Sequence, residues 1–365
     1  PAQSTPPRPW PCRAGAAPYG KALKAEHRKP GKVPVYSSAG LTGTHDTFLV
    51  NSEGIIVGRK GTVGKVYYSS EPFCCIDTAY YITPNPEKYN FQFLYYMLQT
   101  LGLEELNEDS AVPGLNRETA YNQDIALPPL PEQKAIASVL SSLDDKIDLL
   151  HRQNKTLEAM AETLFRQWFI EEAKEDWGEI AFGELVDLHD SKRVPLSQLQ
   201  RDEKRVGQLY PYYGASGIID YINAHIFEGD YLLLSEDGEN LRTRKTPIAF
   251  EANGRFWVNN HAHVMQAKLP YTNGLLRILL EGENLDSIIT GAVQPKINQA
   301  NLISYKIPNF PHDLVQQYVT VSDPWFKKVS YNKQQIQTLE NLRDTLLPKL
   351  MSGEVRVQYR TQQVA

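Results

Sequence analysis

The sequence has little cysteine and no long apolar run. It contains three cysteines, and the spacing of Cys12, Cys74 and Cys75 suits neither a disulfide framework nor a tetrahedral metal site. No apolar stretch approaches the roughly 18 residues that a membrane-spanning helix needs. The N-terminus also lacks the basic region and apolar core of a signal peptide. We therefore expect a protein of the reducing cytoplasm, with no membrane partner.

Motifs for catalysis and cofactors are missing as well. The sequence has no Gly-x-x-x-x-Gly-Lys-Ser/Thr loop for ATP and no Asn/Asp-Pro-Pro-Tyr/Phe tetrad for holding a flipped base. The series Gly58, Gly61 and Gly64 lacks the spacing of a dinucleotide fingerprint, and we interpret it as a tight hairpin. His261 and His263 would share one face of a strand, but no third metal ligand is evident near them. These absences favour a protein with no catalytic centre, cofactor or metal of its own.

The charge distribution is more informative than the total charge. The formal net charge is −5, which alone argues against a nucleic-acid partner. Basic residues nevertheless cluster within 59–65, 192–205 and 242–245. Local clusters matter more for phosphate contact than the sum does. Each cluster is equally compatible with a solvated turn, so both interpretations stay open.

The sequence does contain an internal repeat, with its copies about 180 residues apart. Each copy has three matching segments in the same order. They are VPVYSSAGLTG (33–43), SAVPGLNRE (110–118) and LPPLPEQ (127–133) in the first copy, and YPYYGASGIID (210–220), GAVQPKINQ (291–299) and IPNFPHD (307–313) in the second. Short β-rich runs and one helical segment accompany each copy. The repeat predicts two related domains of mixed secondary structure.

Each copy ends in a heptad pattern. Apolar residues recur at alternating steps of four and three over 136–168, and an equivalent series covers 318–350. Such a seam needs a partner helix, and an antiparallel pair within one chain is the simplest arrangement. We expect Pro324 to kink the second helix, with Asp323 as an N-cap.

The seam also predicts a register. If the numbers of facing residues sum to 486, Asn154 faces Asn332 and the small Ala161 faces Trp325. A slip by one heptad would bury amide groups without partners, at roughly 1 to 3 kcal/mol each. A buried pair of asparagines is a known register device.

Three strings resemble those of a known family. They are LPPLPEQKAIASVLSSLDDKIDLLHRQNKTLEAMAETLFRQWF (127–169), LENLRDTLLPKLMSGEV (339–355) and GIIVGRKGTVG (54–64). The first two resemble the conserved regions of type I restriction-modification specificity (S) subunits, and the third resembles an element of their target recognition domains. The likeness runs from Tyr19 to about Val357. It departs at the N-terminus, where such proteins usually begin with a segment like WGEIAFGELVDL (177–188) and this chain has a Pro-rich segment.

The resemblance implies a DNA-reading subunit without catalysis. In such proteins each recognition domain reads one half of a split sequence in double-stranded DNA. The helices act as a spacer and as a dock for two modification methyltransferase subunits, and restriction subunits join the assembly. S-adenosylmethionine, ATP and Mg are then expected on the partner subunits, with no cofactor bound directly by the chain.

The expected fold class is α+β. It comprises two mixed α/β target recognition domains with twisted, mainly antiparallel sheets, separated by two long helices packed as an antiparallel coiled coil. The segments are a disordered extension (1–18), target recognition domain 1 (19–130), the first long helix (131–170), target recognition domain 2 (171–310), the second long helix (311–352) and a C-terminal tail (353–365).

Residue type and loop position select candidate DNA contacts. Arg and Lys prefer guanine, Asn and Gln prefer adenine, and phosphate contacts position the protein without reading sequence. The candidates are Ser37, Ser38, His45, Arg59, Lys60 and Lys65 in the first domain, and Lys192, Arg193, Tyr213, Ser216, Arg242, Arg244, Lys245 and Lys296 in the second. We predict no catalytic residue and no metal ligand.

Three functions compete: a DNA-specificity subunit, an enzyme such as a fused methyltransferase or nuclease, and a coiled-coil scaffold without nucleic acid. The missing cofactor motifs count against the enzyme. The paired domains with Gly-rich basic loops count against the scaffold, which would need only the helices. A recognition subunit of another bipartite-site restriction or phage-defence system stays open as an alternative.

Overall fold

The chain forms two compact units. A computed structural model describes residues 8–9, 17–106, 114–125, 127–174 and 177–358. The described residues up to 149 and those from 336 onward make up unit 1, and those from 150 to 335 make up unit 2. No helix in these described ranges combines the length and the apolarity needed to cross a membrane.

The first domain lies in unit 1 and is built from short strands and two short helices. They are β1 (Arg8–Pro9), β2 (Val33–Ser37), β3 (Gly40–His45), β4 (Gly54–Gly58), β5 (Val66–Ser69), β6 (Cys74–Cys75), β7 (Ala79–Ile82), α1 (Phe91–Gln99), α2 (Arg117–Tyr121) and β8 (Asp124–Ile125). The sheets have the orders β3-β2-β6 and β5-β4-β7, and β1 pairs with β8. The β2–β6 pair is parallel and the other pairs are antiparallel. The first long helix, α3 (Leu130–Arg166), follows.

The predicted extension 1–18 falls mostly outside the described residues, but its described parts are ordered. Arg8–Pro9 pairs with β8, and Ala17 is buried in the core of the first domain. The carbonyl of Pro18 accepts a hydrogen bond from Tyr81 N at 3.1 Å. The described residues Ala17 and Pro18 therefore pack with the first domain, and the disorder predicted for the extension as a whole stays a prediction.

The second domain lies in unit 2 and repeats this design on a larger scale. Its elements are β9 (Glu179–Ala181), β10 (Val186–Leu188), α4 (Gln198–Glu203), β11 (Tyr210–Gly214), β12 (Gly217–Ile222), β13 (Phe227–Ser235), α5 (Asn240–Thr243), β14 (Ala249–Val258), β15 (Ala262–Ala267), α6 (Asn273–Gly282), β16 (Ile289–Thr290), β17 (Lys296–Ile297), α7 (Gln299–Ser304) and β18 (Lys306–Pro308). The main sheet has the order β10-β15-β13-β14-β11-β12. The second long helix, α8 (His312–Ser352), follows.

The two domains share a topology. Each has a hairpin, β2–β3 or β11–β12, whose first strand pairs in parallel with a later strand. Each also has a central strand, β4 or β13, flanked by antiparallel neighbours on both sides. An apolar helix covers the core in each case, α1 in one and α6 in the other. The predicted α+β fold class, with mainly antiparallel sheets, is confirmed.

The second long helix is not interrupted at Pro324. Proline removes one backbone donor and crowds the preceding turn, yet α8 is continuous through this position. Tyr318 and Phe326, on either side, are buried in the core of unit 2, and this packing stabilises the helix across the missing hydrogen bond. Asp323 pairs with Lys327 at 2.6 Å. The predicted N-cap at Asp323 is therefore wrong, because no helix begins there, and the kink at Pro324 stays a prediction.

The long helices pack against each other through a polar pair in their apolar seam. Asn332 Nδ2 donates a hydrogen bond to Asn154 Oδ1 at 2.8 Å, and both side chains are buried. These are the residues that the register with a sum of 486 places face to face. Farther along in unit 2, Tyr318 Oη donates to the carbonyl of Ala161 at 3.0 Å. Along α3 the residue number rises from 154 to 161, while the number of the partner on α8 falls from 332 to 318. The two helices are therefore antiparallel.

We expect the Asn332→Leu variant to be less stable than the parent chain. The change leaves the buried amide of Asn154 without its donor, which costs roughly 1 to 3 kcal/mol. Urea unfolding followed by circular dichroism measures the loss. Gln317→Leu makes the same chemical change at an exposed position of α8 and should shift the free energy of unfolding by less than about 0.5 kcal/mol. The double variant Asn154→Leu/Asn332→Leu should recover most of the loss, since neither polar group then remains.

Candidate nucleic-acid interface

Four loops of the second domain meet where β13 ends. We call them the second loop face, which comprises residues 214–217, 236–245, 259–261 and 291–297. Backbone hydrogen bonds connect three of the loops. Glu236 N donates to His261 O at 2.9 Å, and Gly238 N donates to Pro295 O at 3.0 Å. The sheet therefore brings segments that are distant in sequence together at one of its edges.

Side chains complete the connections of the second loop face. The hydroxyl of Ser235 donates to the carbonyl of Ala215, which ties the β11–β12 turn to the end of β13. Arg242 donates from Nη2 to Gly291 O at 2.9 Å and from Nη1 to Ala292 O at 3.2 Å. The loop after β16 is thus held by the loop after β13.

A buried ionic cluster lies beneath these loops. It consists of Asp190, Arg193, Glu236, His263 and Lys296. Arg193 pairs with both carboxylates, and Lys296 Nζ lies 2.9 Å from Glu236 Oε1. His263 Nδ1 lies 2.6 Å from Asp190 Oδ2. Burial opposes the charge of Glu236, but hydrogen bonds from Arg193 and Lys296 prevail and hold its pKa below the usual range.

The surroundings of the two histidines differ from the sequence expectation. His261 lies in a turn and pairs with Asp237 at 2.7 Å, whereas His263 on β15 is approached by two carboxylates, those of Asp190 and Glu236. The prediction that His263 lacks further potential ligands is therefore wrong, because those carboxylates come from distant parts of the chain. The cations of the ionic cluster already neutralise both carboxylates, and a divalent ion would have to displace them.

A corresponding first loop face exists in the first domain, comprising residues 37–40, 58–65, 76–78 and 114–115. Arg59 N and Lys60 N both donate to Thr78 O, at 2.9 and 3.1 Å. Ser38 N donates to the hydroxyl of Thr78 at 3.2 Å. Leu115 N donates to Arg59 O at 2.8 Å, which is the counterpart of the bond from Ile297 N to Glu236 O.

Glycine shapes the loop between β4 and β5. Gly61 and Gly64 have φ angles of +79° and +75°, a left-handed conformation that glycine adopts without steric cost. A Cβ on Gly58 or Gly64 would also collide with neighbouring backbone. The strands on either side pair as a hairpin, so the loop is tight and presents Arg59 and Lys60 at its start.

Arg117 lies two residues beyond the first loop face and was not among the predicted contacts. Its guanidinium lies 5.2 Å from the ring centroid of Tyr19, and that of Arg59 lies 4.7 Å from the same ring. Two cations thus pack on one aromatic ring, and Arg117 also lies 4.0 Å from the carboxylate of Glu118. The available signal was the repeated asparagine before Arg117, since Asn116 and Asn298 both cap a helix with their side chains.

Two predicted contacts lie inside the protein. Tyr213 packs against Phe250 and Phe256, and burial raises its pKa to about 12. Ser37 is buried, and its hydroxyl accepts a hydrogen bond from Ala39 N at 3.1 Å. Both side chains are buried in this structure and would have to turn outward to reach DNA, so the two DNA contacts stay predictions.

Three further candidates of the first domain are engaged within it. Ser38 is buried, and His45 Nδ1 accepts a hydrogen bond from Lys29 N at 3.0 Å. Lys65 pairs with Glu104 at 2.8 Å, and the hydrogen bond and charge of Glu104 raise the pKa of Lys65. Lys65 is nevertheless half exposed, so it can reach a phosphate from this pair.

Two arginines of the second domain serve its internal structure. Arg193 belongs to the ionic cluster and is largely buried. Arg244 donates to the carbonyls of Leu280 and Glu283 at 3.4 and 3.1 Å. Their guanidinium groups hold loops in place, which makes them weaker candidates for direct DNA contact than the sequence suggested.

The remaining candidates are accessible. Among the described residues, Lys60, Lys192 and Lys245 are exposed and form no ion pair. Ser216, Arg242 and Lys296 are also exposed, and Arg59 is half buried. The structure therefore brings together only some of the candidates. The first loop face contains Ser37, Ser38, Arg59, Lys60 and Lys65, and the second contains Ser216, Arg242, Arg244, Lys245 and Lys296, whereas His45, Lys192, Arg193 and Tyr213 lie outside both.

The fold is similar to that of a solved type I S subunit. The crystal structure of a type I restriction-modification S subunit from M. genitalium superposes with a TM-score of 0.64 at 19% identity, covering 94% of this chain and 95% of that one. Residues 15–159 and 174–341 match the model of the type I restriction modification DNA specificity domain. The chain belongs to this family.

Relatives within the type I specificity family match one or both copies. The MjaIX specificity subunit of Methanocaldococcus jannaschii is 25% identical over 305 residues, covering 73% of this chain and 69% of the relative. A putative specificity subunit of Haemophilus influenzae, S.HindORF215P, is 29% identical over 159 residues, covering 44% of this chain and 39% of the relative. Both loop faces lie within the ranges that the family model matches.

We expect Arg193→Met to destabilise the second domain strongly. The change leaves Asp190 and Glu236 buried without their shared cation, and breaking a buried ion pair typically costs about 3 to 5 kcal/mol. Thermal unfolding measures the loss. The neighbouring change Lys192→Met removes an exposed cation and should alter stability by less than about 0.5 kcal/mol. Equal stability of the two variants would contradict the structural role of the ionic cluster.

Proposed function

We propose that this chain is the DNA-recognition subunit of a type I restriction-modification complex, in which each loop face reads one half of a bipartite DNA site. The observation that carries the proposal is one loop framework built twice. Leu115 N donates to Arg59 O in the first domain, and Ile297 N donates to Glu236 O in the second, both at 2.8 Å. A repeated framework with different side chains suits the reading of two unlike sequences.

The side chains at equivalent framework positions differ in chemistry. The first loop face presents Arg59 and Lys60, whose donors match the acceptors of guanine in the major groove. The equivalent residues of the second are Glu236 and Asp237, which are paired within the domain. Exposed cations of the second domain come instead from other segments, namely Lys192, Arg242, Lys245 and Lys296. We infer that the two domains contact phosphates and bases from different positions.

Local positive charge on each loop face outweighs the negative charge of the whole chain in this proposal. Phosphate neutralisation depends on cations within reach of the backbone, and its strength falls steeply with salt. The paired guanidinium groups of Arg59 and Arg117 on Tyr19 support a phosphate contact or guanine contact in the first domain. Exposed Lys192 and Lys245 support the same role in the second.

The helix pair is proposed to set the spacing of the half-sites and to dock two methyltransferase subunits. A helix of 37 residues such as α3 is about 56 Å long, longer than the roughly 34 Å turn of B-DNA. In unit 2, Met160, Leu164 and Trp325 line an apolar groove on the helix surface, which suits a protein partner. Co-purification of an adenine methyltransferase with the tagged chain tests this part.

Catalysis is proposed to reside entirely in the partners. Methyl transfer, DNA cleavage and ATP hydrolysis would fall to modification and restriction subunits, which would carry S-adenosylmethionine, Mg and ATP. This chain would bind the specific DNA sequence and so direct the partner subunits to it. Its own contribution to the reaction is therefore measured as affinity and discrimination between sequences.

We expect Lys192→Gln/Lys245→Gln to weaken DNA binding by the assembled complex. Each lost phosphate contact lowers the slope of log affinity against log salt by about 0.9, so the pair should lower it by roughly 2. Fluorescence anisotropy over a salt series measures the slope, on the duplex identified from the methylated sites of the host genome. Lys306→Gln removes an exposed lysine of β18 that is not among the candidate contacts, and should leave the slope unchanged.

The assignment of each loop face to one half-site can be tested with DNA duplexes in which the sequence of one half-site is scrambled. Arg59→Gln/Lys60→Gln should reduce the affinity difference between the intact duplex and one half-scrambled duplex only. The Lys192 and Lys245 variant should preserve discrimination in both halves, because phosphate contacts position DNA without reading it. Loss of discrimination at both halves in the Arg59 and Lys60 variant would refute the assignment of one loop face to one half-site.

A further inference from the structure

The strands β16 and β17 form a short hairpin whose connecting residues, 291–295, we call the hairpin tip. Thr290 pairs with Lys296 in antiparallel register, and Thr290 Oγ1 donates to the carbonyl of Lys296 at 3.1 Å. The chain between these two residues therefore turns back on itself. Val293 is the middle residue of the hairpin tip, so the fold places it at the apex.

The backbone of the hairpin tip is fixed on both sides of its apex. Arg242 donates from Nη2 to the carbonyl of Gly291 at 2.9 Å and from Nη1 to that of Ala292 at 3.2 Å. On the other side, Gly238 N donates to Pro295 O at 3.0 Å. Gly291 has a φ angle of +84°, which glycine adopts without steric cost. These bonds join the tip to the loop after β13 and prevent its apex from folding back onto the domain.

The side chain at the apex is apolar and uncovered. Val293 is 96% exposed. A single exposed apolar residue is common on protein surfaces, but the position of this one is distinctive. On the second loop face, all of whose residues the structure describes, Val293 is the only large apolar side chain that is exposed. A fixed turn thus presents one apolar group from a face that is otherwise polar and basic.

A cation lies at each end of the hairpin tip. Arg242 is bound to the carbonyls at its start and is exposed, and Lys296, which follows its end, has a side chain that is 49% exposed. In DNA, phosphates line both edges of a groove, and cations that contact them position a protein there. The major groove also admits a two-stranded β-ribbon. The hairpin therefore has the shape and the charge distribution to enter a major groove with its apex foremost.

The apolar apex matches one particular base. In the major groove, thymine presents its C5-methyl group, whereas adenine, guanine and cytosine present only hydrogen-bond donors and acceptors. The minor groove presents no methyl group. The side chain of Val293 has neither a donor nor an acceptor, so it gains from burying a methyl group and gains nothing from a hydrogen-bonding edge.

We propose that the β16–β17 hairpin enters the major groove at the half-site of the second domain, and that Val293 recognises a thymine there through its C5-methyl group. Val293 is then a specificity-determining residue. It was not among the contacts predicted from the sequence, because that selection favoured side chains with charges or hydroxyls. The inference rests on the proposed function, since it takes the second loop face as the surface that contacts DNA.

Replacement of thymine by deoxyuridine tests the contact, because it removes the methyl group and keeps the hydrogen-bonding edge of the base. Fluorescence anisotropy compares the affinity of the assembled complex for its cognate duplex with that for duplexes carrying deoxyuridine in one half-site at a time. Loss of one buried methyl contact should weaken binding by about fourfold. Single replacements then identify the thymine. It should lie in the half-site whose discrimination survives the Arg59→Gln/Lys60→Gln change.

Matched variants connect the methyl group to Val293. Val293→Ala should bind the normal duplex more weakly and should no longer distinguish thymine from deoxyuridine at the identified position. Val293→Ile keeps an apolar apex and should keep the distinction. Leu269→Ala removes a side chain that is 92% exposed but lies outside the second loop face, and should leave both the affinity and the distinction unchanged. Thermal unfolding should be the same for all three variants, since the altered side chains are exposed.

Three results would overturn the role of Val293. One is equal affinity of the unaltered complex for thymine and deoxyuridine at every position of that half-site, which decides the matter even if a variant fails to fold. Another is a methyl dependence that persists unchanged in Val293→Ala, and the third is a half-site without any A·T pair. A complex that does not discriminate its cognate duplex from a scrambled one refutes the proposed function itself. Discrimination without methyl dependence refutes only the thymine contact.

Discussion

The arrangement of the long helices depends on one buried hydrogen bond, between the amides of Asn154 and Asn332. Each amide lies in an otherwise apolar seam, where a polar group without a partner costs more than the seam gains from one additional apolar contact. Only the register that brings the two amides together gives each a partner, with Asn332 Nδ2 donating to Asn154 Oδ1. In unit 1, Asp144 pairs with Arg343 at 3.0 Å, and their numbers sum to 487, within one residue of the same register. Two polar residues thus fix the alignment that the apolar residues stabilise.

Each domain separates the stable part of its fold from the variable part. The central strand, β4 or β13, is largely buried and flanked by paired strands, so its position does not depend on the loop that follows it. The end of that strand, where buried strand gives way to loop, carries residues of opposite charge in the two domains, Arg59 in one and Glu236 in the other. A loop can therefore differ in its side-chain chemistry while its backbone bond to Leu115 or Ile297 persists.

Sequence alone predicted the features that depend on local periodicity. The helices and the pair of Asn154 with Asn332 follow from heptad spacing and the repeat, both of which are visible in the sequence. The environments of the loop side chains were harder to predict from the sequence. Lys192 and Arg193 illustrate this, because both belong to one basic cluster but only Lys192 is exposed. Arg193 is buried because its partner Glu236 is 43 positions away, and only the folded sheet brings them together. Predictions of DNA contacts from residue type therefore mixed surface cations with internal ones.

The last turns of α8 have a consequence for biosynthesis. Leu346 and Leu350 pack beside Ile136 and Leu140 in the core of unit 1, together with α1. From Leu140 to Leu350 is 210 positions, so the ribosome translates the whole second domain before that core can close. Throughout that interval an apolar face of α3 lacks its final covering. A premature stop near the C-terminus would accordingly damage the first domain, although every residue of that domain had been made.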